Sequence, residues 1–161
     1  MTRAYVSIGS NEQPQRHIKQ AIELLRQQFG QLDMSPVYES EAVGFDGDNF
    51  LNLVVGFDTT LSLEEVDETL GGIEQQCGRV RQQEKFSPRT MDLDLLLFSD
   101  LIRHDARWDI PRDEIYKYAF VLKPLADLVP DSRHPETGET FGQMWQDSAL
   151  HDQDLWQTEL M

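Results

Sequence analysis

The chain is poor in cysteine and in positive charge, and it has no long apolar run. Its 161 residues include one cysteine, Cys77, which excludes an internal disulfide and suits a reducing compartment. No apolar stretch approaches the ~20 residues that a bilayer span requires. The opening, Met1-Thr2-Arg3-Ala4-Tyr5-Val6, has no apolar region followed by a cleavage site, so a cytoplasmic protein without a membrane partner is expected. Only 14 Lys+Arg stand against 29 Asp+Glu, a formal net charge of -15. Nucleic-acid phosphates need neutralising cations, so no nucleic-acid partner is expected. Hydrophobic residues at 39% and charged residues at 27% fit a globular chain, and the length suits one domain over residues 1–161.

The few cations are unevenly placed. Arg79, Arg81, Lys85 and Arg89 put four of the 14 Lys+Arg residues into eleven positions. Charge alone reads this as a solvated loop; a local basic loop on an acidic protein also suits a small anionic ligand. Around it, Ala4 to Ile8 reads as a buried strand stopped by Gly9-Ser10-Asn11. Ile18, Ile22, Leu25 and Phe29 recur at helical spacing over 15–29, with Gly30 as the cap. A strand follows near 31–39, an acidic Gly-containing loop at 40–49, and a strand over 50–59. Ser62 and Glu65 form a capping-box pattern. It opens a helix whose apolar stripe is Val66, Leu70, Ile73 and Cys77, weakened by Gly71-Gly72 and ended by Gly78. Asp92 to Phe98 is the strongest strand signal, and a short helix is expected near Phe120 to Leu125. Strand, helix, strand, strand, helix, strand is the split, ferredoxin-like order (βαββαβ) of an α+β fold: an antiparallel sheet with helices on one face, here with a C-terminal extension.

Pro88-Arg89-Thr90-Met91-Asp92-Leu93-Asp94-Leu95 carries the chemistry. Side chains two apart on a strand point the same way. Asp92 and Asp94 therefore share one face, about 6–7 Å apart, while Leu93, Leu95 and Leu97 take the other. An isolated Asp-x-Asp at a strand edge is more often plain solubility or protection against edge pairing. The basic run just before it changes the balance. Magnesium takes carboxylates together with phosphate oxygens and water, and guanidinium groups bind the outer oxygens of a polyphosphate in a fork.

Four segments, in the same order, resemble the 6-hydroxymethyl-7,8-dihydropterin pyrophosphokinase family. They are Ile8-Gly9-Ser10-Asn11, Glu74 to Arg81, Pro88 to Asp94, and Phe120-Val121-Leu122-Lys123-Pro124-Leu125. The resemblance implies ATP as co-substrate, two Mg2+ held by Asp92 and Asp94, and transfer of diphosphate to the pterin hydroxymethyl group with AMP leaving. It assigns catalytic roles to Arg79, Arg89 and Asp94, and places Glu74, Arg81, Leu95 and Arg107 at the nucleotide. The pterin is expected between Phe86 and Phe120, with Asn52 at its amide edge and Ser40, Val43 and Phe50 lining the pocket. Core packing is an equal reading for Phe50 and Phe120. A buried unpaired amide costs about 1–3 kcal/mol, so Asn52, inside an apolar strand, is expected to bond a ligand or a neighbour. Small-molecule substrates and a monomer are expected.

The pattern also breaks. Phe86 replaces a usual tryptophan and Ser87 a glycine. Ser40-Glu41-Ala42-Val43-Gly44 replaces a proline-rich turn. Pro111 is followed by Arg112 and Asp113 where Pro-His is usual, and Tyr118 stands in place of an arginine. Arg107, Arg112 and Lys117 are candidates to replace the lost phosphate-binding cations. These changes motivate an alternative: a non-catalytic or altered-specificity pterin- or nucleotide-binding relative. His17, His104, His134 and His151 lack metal-ligand spacing and are read as exposed or locally bonded. Trp145 and Trp156 are expected to tether the acidic tail.

Overall fold

The computed structural model describes residues 1–41, 49–78 and 91–160. The elements are β1 (Thr2–Ser10), α1 (Pro14–Phe29), β2 (Asp33–Met34), β3 (Val37–Ser40), β4 (Phe50–Thr59), α2 (Leu63–Gln76), β5 (Asp92–Phe98), β6 (Arg103–His104), β7 (Asp109–Ile110), α3 (Glu114–Lys117), α4 (Ala119–Leu128), α5 (Phe141–Asp147) and β8 (Leu155–Thr158). The main sheet runs β5-β1-β4-β3-β8, with β2 also paired to β4, and its pairings are antiparallel. The architecture is α+β, an antiparallel sheet with helices.

The strand expected near 31–39 is two short pieces along β4. Pro36 lacks an N–H to donate, and the chain breaks there. Ser35 repairs the gap: its N–H donates to the Val54 carbonyl at 2.9 Å and its Oγ accepts from the Val54 N–H at 2.9 Å. The capping box is present. The Glu65 N–H donates to Ser62 Oγ at 3.2 Å and the Ser62 N–H to Glu65 Oε1 at 3.0 Å.

Side-chain alternation builds one core between the sheet and α1 and α2. Ala4, Val6 and Ile8 of β1, Leu53, Val55 and Phe57 of β4, and Leu93 and Leu95 of β5 meet Ile18 and Leu25 of α1 and Val66 and Ile73 of α2. The expectation of helices on one face holds for these two only. The C-terminal extension covers part of the other face, where Val121, Leu122 and Leu125 of α4 and Phe141 and Met144 of α5 pack on Val54, Leu96 and Leu97. Leu97 is thus on the opposite face from Leu93 and Leu95, contrary to simple alternation. A register shift pairs Tyr5 with Leu97 but Val6 with Leu95, leaving Leu96 as an extra residue. Such a bulge lets two consecutive leucines enter the second core.

The extension is tied to the body by polar contacts as well. The Tyr38 hydroxyl donates to the Asp127 carboxylate, and Lys123 Nζ reaches the same carboxylate at 2.7 Å, joining β3 to α4. Burial and then Asp127 push the Tyr38 phenol above its ordinary pKa. The tail is held by backbone pairing of β8 to β3; Trp156 itself remains 41% exposed. His134 is not exposed but fully buried, and it is locally bonded as expected, its Nδ1 accepting from the Glu136 N–H at 3.1 Å.

His104 stays at the surface between Glu136 Oε1 at 2.8 Å and Asp109 Oδ1 at 2.7 Å. The bonds to Glu136 and Asp109 raise its pKa above 6.5, whereas burial lowers that of His134 below 6.5. The His104 contact therefore favours the fold below the ordinary histidine range and is lost as pH rises through its folded value. His134 acts oppositely, costing stability as acid forces a charge on it. Titration followed by NMR is expected to place the two imidazoles on opposite sides of 6.5, with Glu136→Gln moving His104 downward.

Gly71 and Gly72 lie within α2, and a methyl at either would meet nothing within 4 Å. Gly72→Ala is expected to raise the unfolding free energy by about 1 kcal/mol, because a helix interior favours alanine over glycine. Urea denaturation checks it; unchanged or lower stability would show the site is not open.

Candidate functional site

Register assembles the site. On the face away from α1 and α2, Asp92 of β5 is opposite Gly9 of β1, Gly9 is opposite Asn52 of β4, and Asn52 is opposite Tyr38 of β3. The next row carries Asp94, Ser7 and Val54. Ser40 is opposite Phe50 on the same face. Cross-strand partners point to one side, so Asp92, Asp94, Asn52, Ser40 and Phe50 share this face. Phe120 joins it from above, because α4 packs here. Its ring stacks on Tyr118 with centroids 4.9 Å apart and an interplanar angle of 21°.

Asn52 is 3% exposed and donates from Nδ2 to Ser40 Oγ at 3.0 Å. That bond is the local partner expected of an amide in an apolar strand. Gly9 fits closely beside it: a Cβ there would lie 3.1 Å from Asn52 Oδ1, so the amide would have to shift slightly, and 4.0 Å from the Phe50 ring. The glycine leaves a bare strip of backbone between the acidic pair and the amide.

Arg112 meets the acidic pair from the other side. Its N–H donates to the Leu96 carbonyl at 3.0 Å, and the fully buried Ile115 anchors the segment in the second core. The guanidinium donates to Glu114 Oε1 from Nε at 2.9 Å and Nη2 at 2.6 Å, and Nη2 is 3.7 Å from Asp94 Oδ1. Burial works against this charge, but Asp94 and Glu114 more than offset it and raise the Arg112 pKa. Burial raises the pKa of Glu114, with Arg112 opposing.

The other expected residues divide. Glu74 Oε2 accepts the Leu93 N–H at 3.0 Å, which brings α2 to β5. Glu74, Asp67, Glu68, Gly71, Gly72 and Leu93 line a concavity of about 560 Å³. The Leu95 side chain is buried in the first core, so only its backbone is available to a nucleotide. Arg107 is at the β6–β7 turn, its guanidinium 4.7 Å from the centre of the Trp108 ring. Lys117 is on the surface, 2.8 Å from Asp113. Arg79, Arg81, Lys85, Phe86, Arg89 and Val43 lie outside the described residues. Among the described residues no group of three or more His, Cys, Asp or Glu side chains is placed to hold a metal ion. Glu114 and Tyr38 went unread in the sequence. The only signal for Glu114 was its place two residues after an arginine.

A paired carboxylate, a buried amide and an arginine on one face of an antiparallel sheet are chemically able to receive an oxygen-bound cation beside an anionic ligand. The chain belongs to the 7,8-dihydro-6-hydroxymethylpterin-pyrophosphokinase family, whose model matches residues 5–130. It is 38% identical over 138 residues to the 2-amino-4-hydroxy-6-hydroxymethyldihydropteridine pyrophosphokinase of Pseudomonas aeruginosa, covering 83% of this chain and 85% of the relative. The Bacillus subtilis protein of the same name is 32% identical over 158 residues, covering 93% and 94%. The solved Plasmodium falciparum HPPK-DHPS structure with SDX-DHP superposes with a TM-score of 0.70 at 13% identity. The overlay covers 91% of this chain and 43% of that one. It speaks for the fold alone, and the chain spans less than half the length of that solved protein.

Asn52→Ala removes the donor to Ser40 and leaves a buried hydroxyl without its partner, a loss of about 1–3 kcal/mol. Chemical denaturation is expected to show it. Gly9→Ala is expected to disturb the Asn52 amide with a smaller stability loss; a pterin-binding titration that weakens with Gly9→Ala locates ligand recognition on this strip.

Proposed function

We propose that Asp92 and Asp94 hold two magnesium ions with ATP, and that the pterin lies over Gly9 with Asn52 at its amide edge. The reaction follows from the family: diphosphate passes from ATP to the hydroxymethyl group of 6-hydroxymethyl-7,8-dihydropterin, a step of folate biosynthesis. The carrying observation is the row Asp92–Gly9–Asn52, which sets acid and amide on either side of one bare strand.

The residues suit the metal. Both donors are carboxylates, the hard oxygen ligands magnesium prefers, and the Asp94 side chain is 31% exposed, leaving room for phosphate oxygens and water. Bound there, magnesium supplies charge neutralisation at the phosphate oxygens. The protein supplies position. Asn52 presents an amide donor and acceptor, matched to a lactam and amino edge, and Phe120 offers a flat face for the ring. With these held, the pterin hydroxyl oxygen attacks the β-phosphorus, the bond from that phosphorus to the α,β-bridging oxygen breaks, AMP leaves, and the hydroxyl proton passes to solvent. Arg79, Arg81 and Arg89 steady the phosphates in this reading. Glu74, which lines the concavity beside α2, and the Leu95 backbone border the nucleotide in this reading. Arg107 has a partner in Trp108 and stands at the margin of the nucleotide.

The order β5-β1-β4-β3 supports a ferredoxin-like core, to which β8 adds an edge. The pairing of β8 with β3 supports reading residues 1–161 as one pyrophosphokinase domain; a cytoplasmic monomer belongs to the same reading. The non-catalytic alternative rested on the changes at Arg112, Asp113 and Tyr118, and Arg112 beside Asp94 weighs against it.

Purified protein with ATP, magnesium and 6-hydroxymethyl-7,8-dihydropterin is expected to release AMP. Asp94→Ala is expected to abolish release while pterin still binds. Normal turnover in that variant would overturn the metal assignment.

A further inference from the structure

We infer that Arg112 is a charge selector, which makes the acidic pair reject a bare divalent cation and accept one that arrives with the triphosphate. The inference rests on the placement of metal and ATP at Asp92 and Asp94 proposed above. Arg112 is held for this from both ends. Its backbone is bonded to Leu96 of β5, and its guanidinium is braced by two contacts to Glu114. The charged end is 3.7 Å from Asp94 Oδ1, and its side chain is 32% exposed, as is 31% of that of Asp94. Of the three cations open as replacements, only Arg112 is in contact with an acid of the pair. Lys117 is spent on Asp113 and Arg107 on the Trp108 ring.

The electrostatics have opposite signs for the two ligands. A free divalent cation approaching Asp94 meets a fixed positive charge within a few ångströms and must displace it. The triphosphate arriving with one magnesium ion carries net negative charge and is attracted by the same group, which can fork onto phosphate oxygens. Glu114 tempers the effect by cancelling part of the guanidinium charge. A role confined to packing would change both affinities in one direction, or neither.

The test uses Mn2+ alone, followed by electron paramagnetic resonance, and α,β-methylene ATP with magnesium, followed by calorimetry. In the analogue carbon replaces the oxygen at which transfer cleaves, so binding is read without turnover. Relative to the unchanged protein, Arg112→Gln is expected to bind bare Mn2+ several-fold more tightly and the analogue about tenfold more weakly, the size expected for one nearby charge at a partly exposed site. Arg112→Lys, which keeps the charge, is expected to remain near the unchanged protein on both. Glu114→Gln is expected to shift both affinities in the directions opposite to Arg112→Gln, and it carries the test if that variant does not fold. Affinities that fall together, or an analogue affinity unchanged in both charge-altering variants, overturn the inference. If the unchanged protein shows no magnesium-dependent analogue binding, or Asp92→Asn with Asp94→Asn binds Mn2+ equally well, the metal placement itself fails, whatever Arg112 does.

Discussion

The site depends on the pairing of β1, which has a neighbour on each side. Its register to β5 sets Asp92 against Gly9, and its register to β4 sets Gly9 against Asn52. A slip of one residue in either pairing would turn acid or amide to the other face, where α1 and α2 fill the space with aliphatic side chains. Hydrophobic alternation therefore enforces the polar row: Ile8, Leu53 and Leu93 must be inside, so Gly9, Asn52, Asp92 and Asp94 must be outside. The chemistry needs no separate folding instruction.

The bulge in β5 extends this logic. The acidic pair precedes it, in regular alternation, and Leu96 and Leu97 follow it into the second core. That core fastens α4, and α4 carries Phe120 over the polar face. The same irregularity places the Leu96 carbonyl to accept from the Arg112 N–H. The strand thus carries the acidic pair at one end and anchors the opposing wall at the other.

Much of this was legible in the sequence. Strands 50–59 and 92–98 and the capping box of α2 follow from local periodicity and side-chain bonding, which act over a few residues. The segment at 31–39 broke at Pro36, and Leu97 changed faces, because pairing between distant strands decides both. For His134, read as exposed or locally bonded, the local bond to the Glu136 N–H is present, while the packing of Tyr116 and Phe141 that encloses the ring comes from residues distant in sequence. Asp92, Asp94 and Asn52 were legible because each breaks an apolar pattern at a position where alternation predicts its direction. Glu114 was not, because nothing local to it reveals that it braces an arginine against a residue twenty positions earlier.

A net charge of -15 poses a problem for an enzyme whose co-substrate is a polyanion. Spread over the surface, those charges are screened beyond about 8–10 Å at physiological salt, so what matters is the sign within reach of the phosphates. There the balance differs from the whole. Asp94 is partly answered by Arg112, and the basic stretch 79–89 is joined in sequence to β5 at its acidic end. On an acidic chain, a cation held beside one carboxylate pair makes that pair less hostile to an anion than other acidic surface. Under the proposed placement, selectivity for a metal-bound polyphosphate would come from the arrangement of a few charges, sharpened by the surplus of acid elsewhere.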